Sequence, residues 1–152
     1  MSNTLQTFLA DATRRSATTI VEAIMRLPED RRNWKPAEGA RSALDQLAEC
    51  ALNHDYTAEL IKTRHWGVPE QEIYLKEKQD LVDQGQGAIE KLLAESTERV
   101  VAVILAFPDD SLSEKVVMPF GEGELSGVLA YPYWNMSYHE AQINYIGSIL
   151  SL

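Results

Sequence analysis

Asn135-Met136-Ser137-Tyr138-His139-Glu140-Ala141-Gln142-Ile143 decides how the rest of the chain is read. Residues three and four apart are neighbours on a helix surface, so this stretch sets Asn135, His139 and Gln142 side by side near the C-terminus. The same helix needs Met136, Ile143, Ile146 and Leu150 for its buried face. Polar groups wedged into such a face are either hydrogen-bonded core residues or a site, and both readings are open at this point.

Working outward, helical periodicity dominates. Leu5, Phe8, Leu9, Ala12, Ile20, Ala23, Ile24 and Leu27 recur at three- and four-residue steps until Pro28 stops them. Residues 28–41 contain Trp34, Pro36 and Gly39 and read as a polar connection. Ser42 offers an N-cap with Asp45 three residues on, a capping-box variant. A second helix then runs from about Ala43 to His65, before Gly67 and Pro69, with Leu44, Leu47, Ala51, Ala58 and Ile61 as its buried face. A third helix is predicted between Pro69 and Pro108, frayed or bent early on by Gly85 and Gly87. Lys115-Val116-Val117-Met118-Pro119-Phe120-Gly121 reads as an extended segment or brief strand. The fourth helix spans roughly Leu125 to Leu150 with Pro132 inside it, where a kink or a fresh start is predicted. Without repeats or an interdomain linker, this is one all-α domain over residues 1–152: a four-helix bundle with one long connection and a short extended segment before the last helix.

Composition narrows the function classes. With 152 residues and 45% hydrophobic content, the chain can bury a real core. No run approaches the ~18 apolar residues of a membrane span, and residues 1–8 lack the basic-then-apolar pattern of a secretory leader. Cys50, the single cysteine, cannot pair within the chain, so a cytoplasmic location is expected. A formal net charge of -9, with Arg14-Arg15 and Arg31-Arg32 set among acidic residues, argues against nucleic-acid binding. Glycine-rich phosphate loops and serine nucleophile elbows are absent from the sequence.

On a wheel of 100° per residue, His54 falls within about 20° of Leu47 and about 60° of Ala51, so it points inward, with Cys50 one turn earlier on a similar side. His139 shares the face of Met136, Ile143 and Ile146. Two helices thus each aim a histidine at the interior, the way bundles build metal sites. Imidazole suits Zn or Ni among other ions, and a catalytic site usually has three protein ligands and an open position. The bland alternative is a pair of core histidines bonded to neighbouring polar groups. Tyr131, Trp134, Tyr138 and Tyr145 form an aromatic stripe beside the polar one, readable as packing or as the wall of a small-molecule pocket.

Two segments resemble the DinB/YfiT-like superfamily of bacterial four-helix bundles. One is Asn33-Trp34-Lys35-Pro36 leading into Arg41-Ser42-Ala43-Leu44-Asp45-Gln46-Leu47-Ala48; the other is Tyr138-His139-Glu140-Ala141-Gln142-Ile143. The resemblance covers most of the chain. It implies a bundle that is often a homodimer and a divalent metal held by one histidine on helix two and two histidines four apart on helix four. His139 matches the later of that pair, and the earlier position holds Asn135. Counting from Ser42, the helix-two position falls on Glu49, on the polar side of the helix with Gln46, Asn53 and Tyr56. Periodicity instead favours His54, which with His139 makes the softer site. Both stay candidates, with His54 preferred.

The expected ligand set is therefore His139, His54, Asn135 and Glu49, incomplete for Zn or Ni, with Gln142, Asn53, Tyr56 and Cys50 around a pocket. The favoured reading is a small-molecule binding module with a degenerate metal site. The alternative implied by the resemblance is a divalent-metal-dependent enzyme, a hydrolase or a low-molecular-weight thiol transferase. Neither a nucleic acid nor a membrane is expected as partner.

Overall fold

A computed structural model describes residues 4–151. Residues 1–3 and 152, included in the leader and single-domain readings, lie outside the described residues. Helix α1 spans Thr4–Met25, α2 Ala43–Thr63, α3 Gln71–Asp83, α4 Gln86–Leu105 and α5 Leu125–Ile149, with strands β1 (Lys115–Met118) and β2 (Gly121–Glu124) ahead of α5. The bundle consists of α1, α2, α4 and α5. Helix α1 packs on α4 and α5, and α2 packs on the same two, so α1 and α2 are diagonal partners. Among the described residues no helix is long and apolar enough to cross a membrane.

The third predicted helix is two. Gly85 sits at φ 93°, on the positive side that L side chains rarely adopt, and becomes the N-cap of α4. Its N–H donates to Val82 O at 2.9 Å while its carbonyl accepts from Ile89 at 3.3 Å. One glycine thus closes α3 and opens α4, where a fraying start was expected. Helix α3 lies outside the bundle, packed on α2 and α4.

The extended segment is one arm of an antiparallel hairpin, with Met118 opposite Gly121 and Lys115 opposite Glu124. Its second arm, Gly121-Glu122-Gly123-Glu124, carries no β-branched residue and gave no signal of its own. Helix α5 continues through Pro132 without the restart that was one alternative.

The core falls into two apolar clusters. One joins Ile20 and Ile24 to Leu47, Ile89, Leu93, Met136 and Ile143. The other joins Leu9 to Ile61, Val100, Ile104, Leu125 and Leu129. On each of α1, α2 and α4 the residues between the clusters are polar and buried: Thr13 and Ser16, His54 and Thr57, Ser96 and Thr97. A polar layer therefore crosses the bundle at mid-height.

Ser42 caps α2 as expected, accepting from Asp45 N at 3.1 Å. The Asp45 carboxylate does not return the bond as a capping box would; it takes Arg41 at 2.5 Å and Lys78 at 2.9 Å. Ser42 is fully buried and also donates to Asn33 Oδ1 at 2.9 Å. Ser42→Ala should therefore lower the unfolding free energy by about 1–2 kcal/mol. Urea unfolding checks this, with an unchanged slope expected; a loss of only a few tenths would mean the cap contributes little.

Candidate functional site

Helix α2 has two inward stripes because it touches two bundle partners. Leu47, Ala51, His54, Ala58 and Ile61 form one stripe at three- and four-residue steps. Gln46, Glu49, Asn53, Tyr56 and Leu60 form the other. The second stripe meets α5. His139, only 3% exposed, places Nδ1 at 2.8 Å from Gln46 Oε1 and 3.0 Å from Gln142 Oε1. Both amide oxygens are acceptors, so Nδ1 faces them as a donor. Nε2 lies 2.9 Å from Glu49 Oε1. Asn135 Nδ2 approaches the same carboxylate oxygen at 3.4 Å, and Arg41 Nη1 binds the other, Oε2, at 2.7 Å.

Burial alone would raise the Glu49 carboxyl. The His139 hydrogen bond, the Arg41 charge and Asn135 outweigh it and hold the group at about 2. Glu49 is thus an anion set in a chain of charges, Lys78–Asp45–Arg41–Glu49. The carbonyl oxygen Asn135 Oδ1 is buried there without a hydrogen-bond partner.

The preferred helix-two candidate is displaced. His54 faces α4, with Nδ1 at 3.4 Å from Ser96 Oγ and 3.3 Å from Thr97 Oγ1, and its Nε2 is buried without a partner. Glu49, not His54, reaches His139 Nε2 from α2, and Gln46 on the same helix reaches Nδ1. Cys50, expected beside the pocket, is fully buried in the apolar core, where burial pushes its thiol far up and keeps it un-ionised. Gln142 belongs to the His139 cluster.

Among the described residues, no group of three or more His, Cys, Asp or Glu side chains is placed to hold a metal ion. Zn or Ni in a catalytic site needs about three protein donors. Here one imidazole and one carboxylate converge, the carboxylate's second oxygen is taken by a guanidinium, and the third side chain is a neutral amide. This donor set does not fit a resident Zn or Ni ion.

Glu49 also belongs to a cavity of about 520 Å³. Helix α2 contributes Glu49, Asn53, Tyr56, Thr57 and Leu60 to its wall; Trp66 and Val68 follow from the next loop and Tyr74 from α3. The hairpin adds Met118, Phe120, Gly123 and Glu124, and α5 adds Gly127, Val128 and Tyr131. Two of the expected pocket residues, Asn53 and Tyr56, line it. Tyr74 Oη donates to Asn53 Oδ1 at 2.9 Å, and Asn53 Nδ2 donates to Tyr131 Oη at 3.3 Å. Burial and the Glu49 charge push the Tyr131 hydroxyl up to about 12, so it stays protonated. Trp66 and the hairpin were not legible as site residues, since only the chain's path brings them to α2.

Burial depresses His54 to about 4 from an ordinary 6.5. The unfolded chain then binds its proton more readily than the folded one, so folding stability falls as pH drops through the window from 6.5 to 4 and is unaffected above it. The full penalty is about 3 kcal/mol. Stability measured at pH 7 and pH 4 should therefore move in favour of His54→Leu over wild type by about that amount; parallel pH profiles would show that His54 is accessible to protons in the fold.

No protein-family model and no curated protein matches the sequence. A search of solved structures finds YfiT from Bacillus subtilis, described as "a probable metal-dependent hydrolase with an unusual four-helix bundle topology". The TM-score is 0.80 at 14% sequence identity, over 99% of this chain and 90% of that one. The expectation of a four-helix bundle therefore holds at the level of architecture: this chain has the four-helix-bundle fold seen in YfiT.

Proposed function

We propose that the protein binds a small, largely apolar molecule in the cavity between α2, α3, the hairpin and α5. The observation that carries this reading is a cavity of ligand size with mostly aromatic and aliphatic walls and a few convergent polar groups, Glu49, Asn53 and Tyr131. Helix α5 and the hairpin frame it, and Glu49, held by His139, stands in its wall. On this reading the polar cluster is a rigid support in the place where the related bundles are implied to hold a metal.

Gly127 provides the test. It lines the cavity from within α5, and an added Cβ there meets nothing within 4 Å. Gly127→Leu should fill the cavity without straining the helix, and helix propensity should keep the variant at least as stable as wild type. The neutral probe neopentylbenzene, followed by ligand-observed saturation-transfer NMR, is expected to bind wild type and not Gly127→Leu. Equal binding to both proteins, or binding to wild type by neither this probe nor its cationic isostere benzyltrimethylammonium, would remove this reading.

The alternative is a divalent-metal-dependent enzyme, a hydrolase or a thiol transferase. Asn135 Oδ1, buried and unpartnered beside Glu49 and His139, is the observation in its favour. Binding to the native state alone raises the melting temperature as ligand is added. Under the binding-module reading, Zn or Ni added to chelator-treated protein leaves Tm within about 1 °C. A larger rise, lost in His139→Ala, would favour the enzyme.

A further inference from the structure

We infer that the ligand taken by this cavity is a small organic cation, an ammonium group on an apolar body. The inference rests on the binding reading above and adds the charge of the occupant.

Five aromatic side chains stand in the wall, and they are not parallel. Tyr56 and Tyr74 meet at 6.1 Å between ring centres with 57° between planes; Trp66 and Phe120 meet edge to face at 5.4 Å and 87°; Tyr131 stands on α5. Rings set at angles around a cavity present several π surfaces, whose negative faces attract a cation. The Tyr56 hydroxyl donates to Glu77 Oε2 at 2.6 Å, and Tyr74 donates to Asn53 at 2.9 Å. A phenol that donates strongly to an acceptor keeps more electron density in its ring, which strengthens the same attraction.

The charges agree. Among the described residues, Glu49 and Glu124 are the ionisable lining residues besides the tyrosines, and no lysine, arginine or histidine lines the cavity. Arg41 binds Glu49 through Oε2 and is not a wall residue. Burial first and then the Glu49 charge push both the Tyr74 and Tyr131 hydroxyls up, with Arg41 acting in the opposite sense at Tyr74. Glu124 sits at the end of the hairpin, exposed, and Lys115 opposite it is paired with Glu122. The formal net charge of -9 adds a long-range pull on cations. An anionic ligand would meet two carboxylates, one of them paired with Arg41 behind the wall, and no cationic side chain in the wall itself.

Benzyltrimethylammonium and neopentylbenzene have the same shape and differ by the charge. Calorimetric or NMR titration of the full-length protein should give the cation a Kd at least about tenfold lower than its neutral isostere. Glu124→Gln and Phe120→Leu change exposed hairpin residues and should each weaken the cation several-fold while leaving the neutral probe within about twofold. Equal or tighter binding of the neutral probe would overturn the cation inference and leave the binding reading standing. If neither probe binds wild type, both readings fall.

Discussion

The His139 ring is held from α2 at both of its nitrogens, by Gln46 on one side and Glu49 on the other. This clamp ties the register of α5 to that of α2, since residues 46 and 49 lie one turn apart on the same stripe. A buried imidazole without such partners would carry a desolvation cost of a few kcal/mol. Sliding α5 by one turn would take the His139 ring away from Gln46 and Glu49, whereas apolar neighbours such as Met136 and Ile143 could find new contacts. The polar cluster therefore specifies the alignment that the apolar core only stabilises.

The same logic applies at mid-height. Thr13, Ser16, His54, Thr57, Ser96 and Thr97 interrupt the core on α1, α2 and α4. Such a layer contributes less hydrophobic stabilisation than aliphatic residues would, yet it penalises registers that bring it against leucine or isoleucine. His54 belongs to this layer. Its inward direction, which suggested a ligand, is explained by α4, and the low proton affinity follows from burial.

Glu49 joins the clamp to the cavity. One carboxylate oxygen serves His139, the other serves Arg41, and the group still forms part of the cavity wall. Its position there is rigid because it is bonded on both sides, so the aromatic side chains around it surround a fixed negative charge. The wall itself is assembled from elements far apart in the chain. Trp66 is brought against Phe120 across more than fifty residues, and Tyr74 against Asn53 by the fold of α3 onto α2.

Much of the fold is written in local pattern. The stripe of α1, the Ser42 cap, the pause at residues 108–124 and the closing helix all follow from side-chain spacing and turn chemistry that act over a few residues. The break at Gly85 was visible as a weakness, but its outcome as two separate helices depends on α3 finding a surface outside the bundle. The hairpin's second arm had no propensity signal, because its strand character comes from pairing with β1. Within the candidate site, His139, Asn135 and Gln142 could be grouped from helical spacing, whereas choosing Glu49 over His54 could not. A helical wheel assumes one inward face, and α2 has two because it packs on both α4 and α5. Sequence alone therefore determined the first, second and last helices and that His139 is buried among polar groups; the tertiary arrangement decided that the middle stretch becomes two helices, which side chains meet His139 and that an aromatic cavity opens beside them, since contacts between distant segments depend on how helices are placed around a shared core.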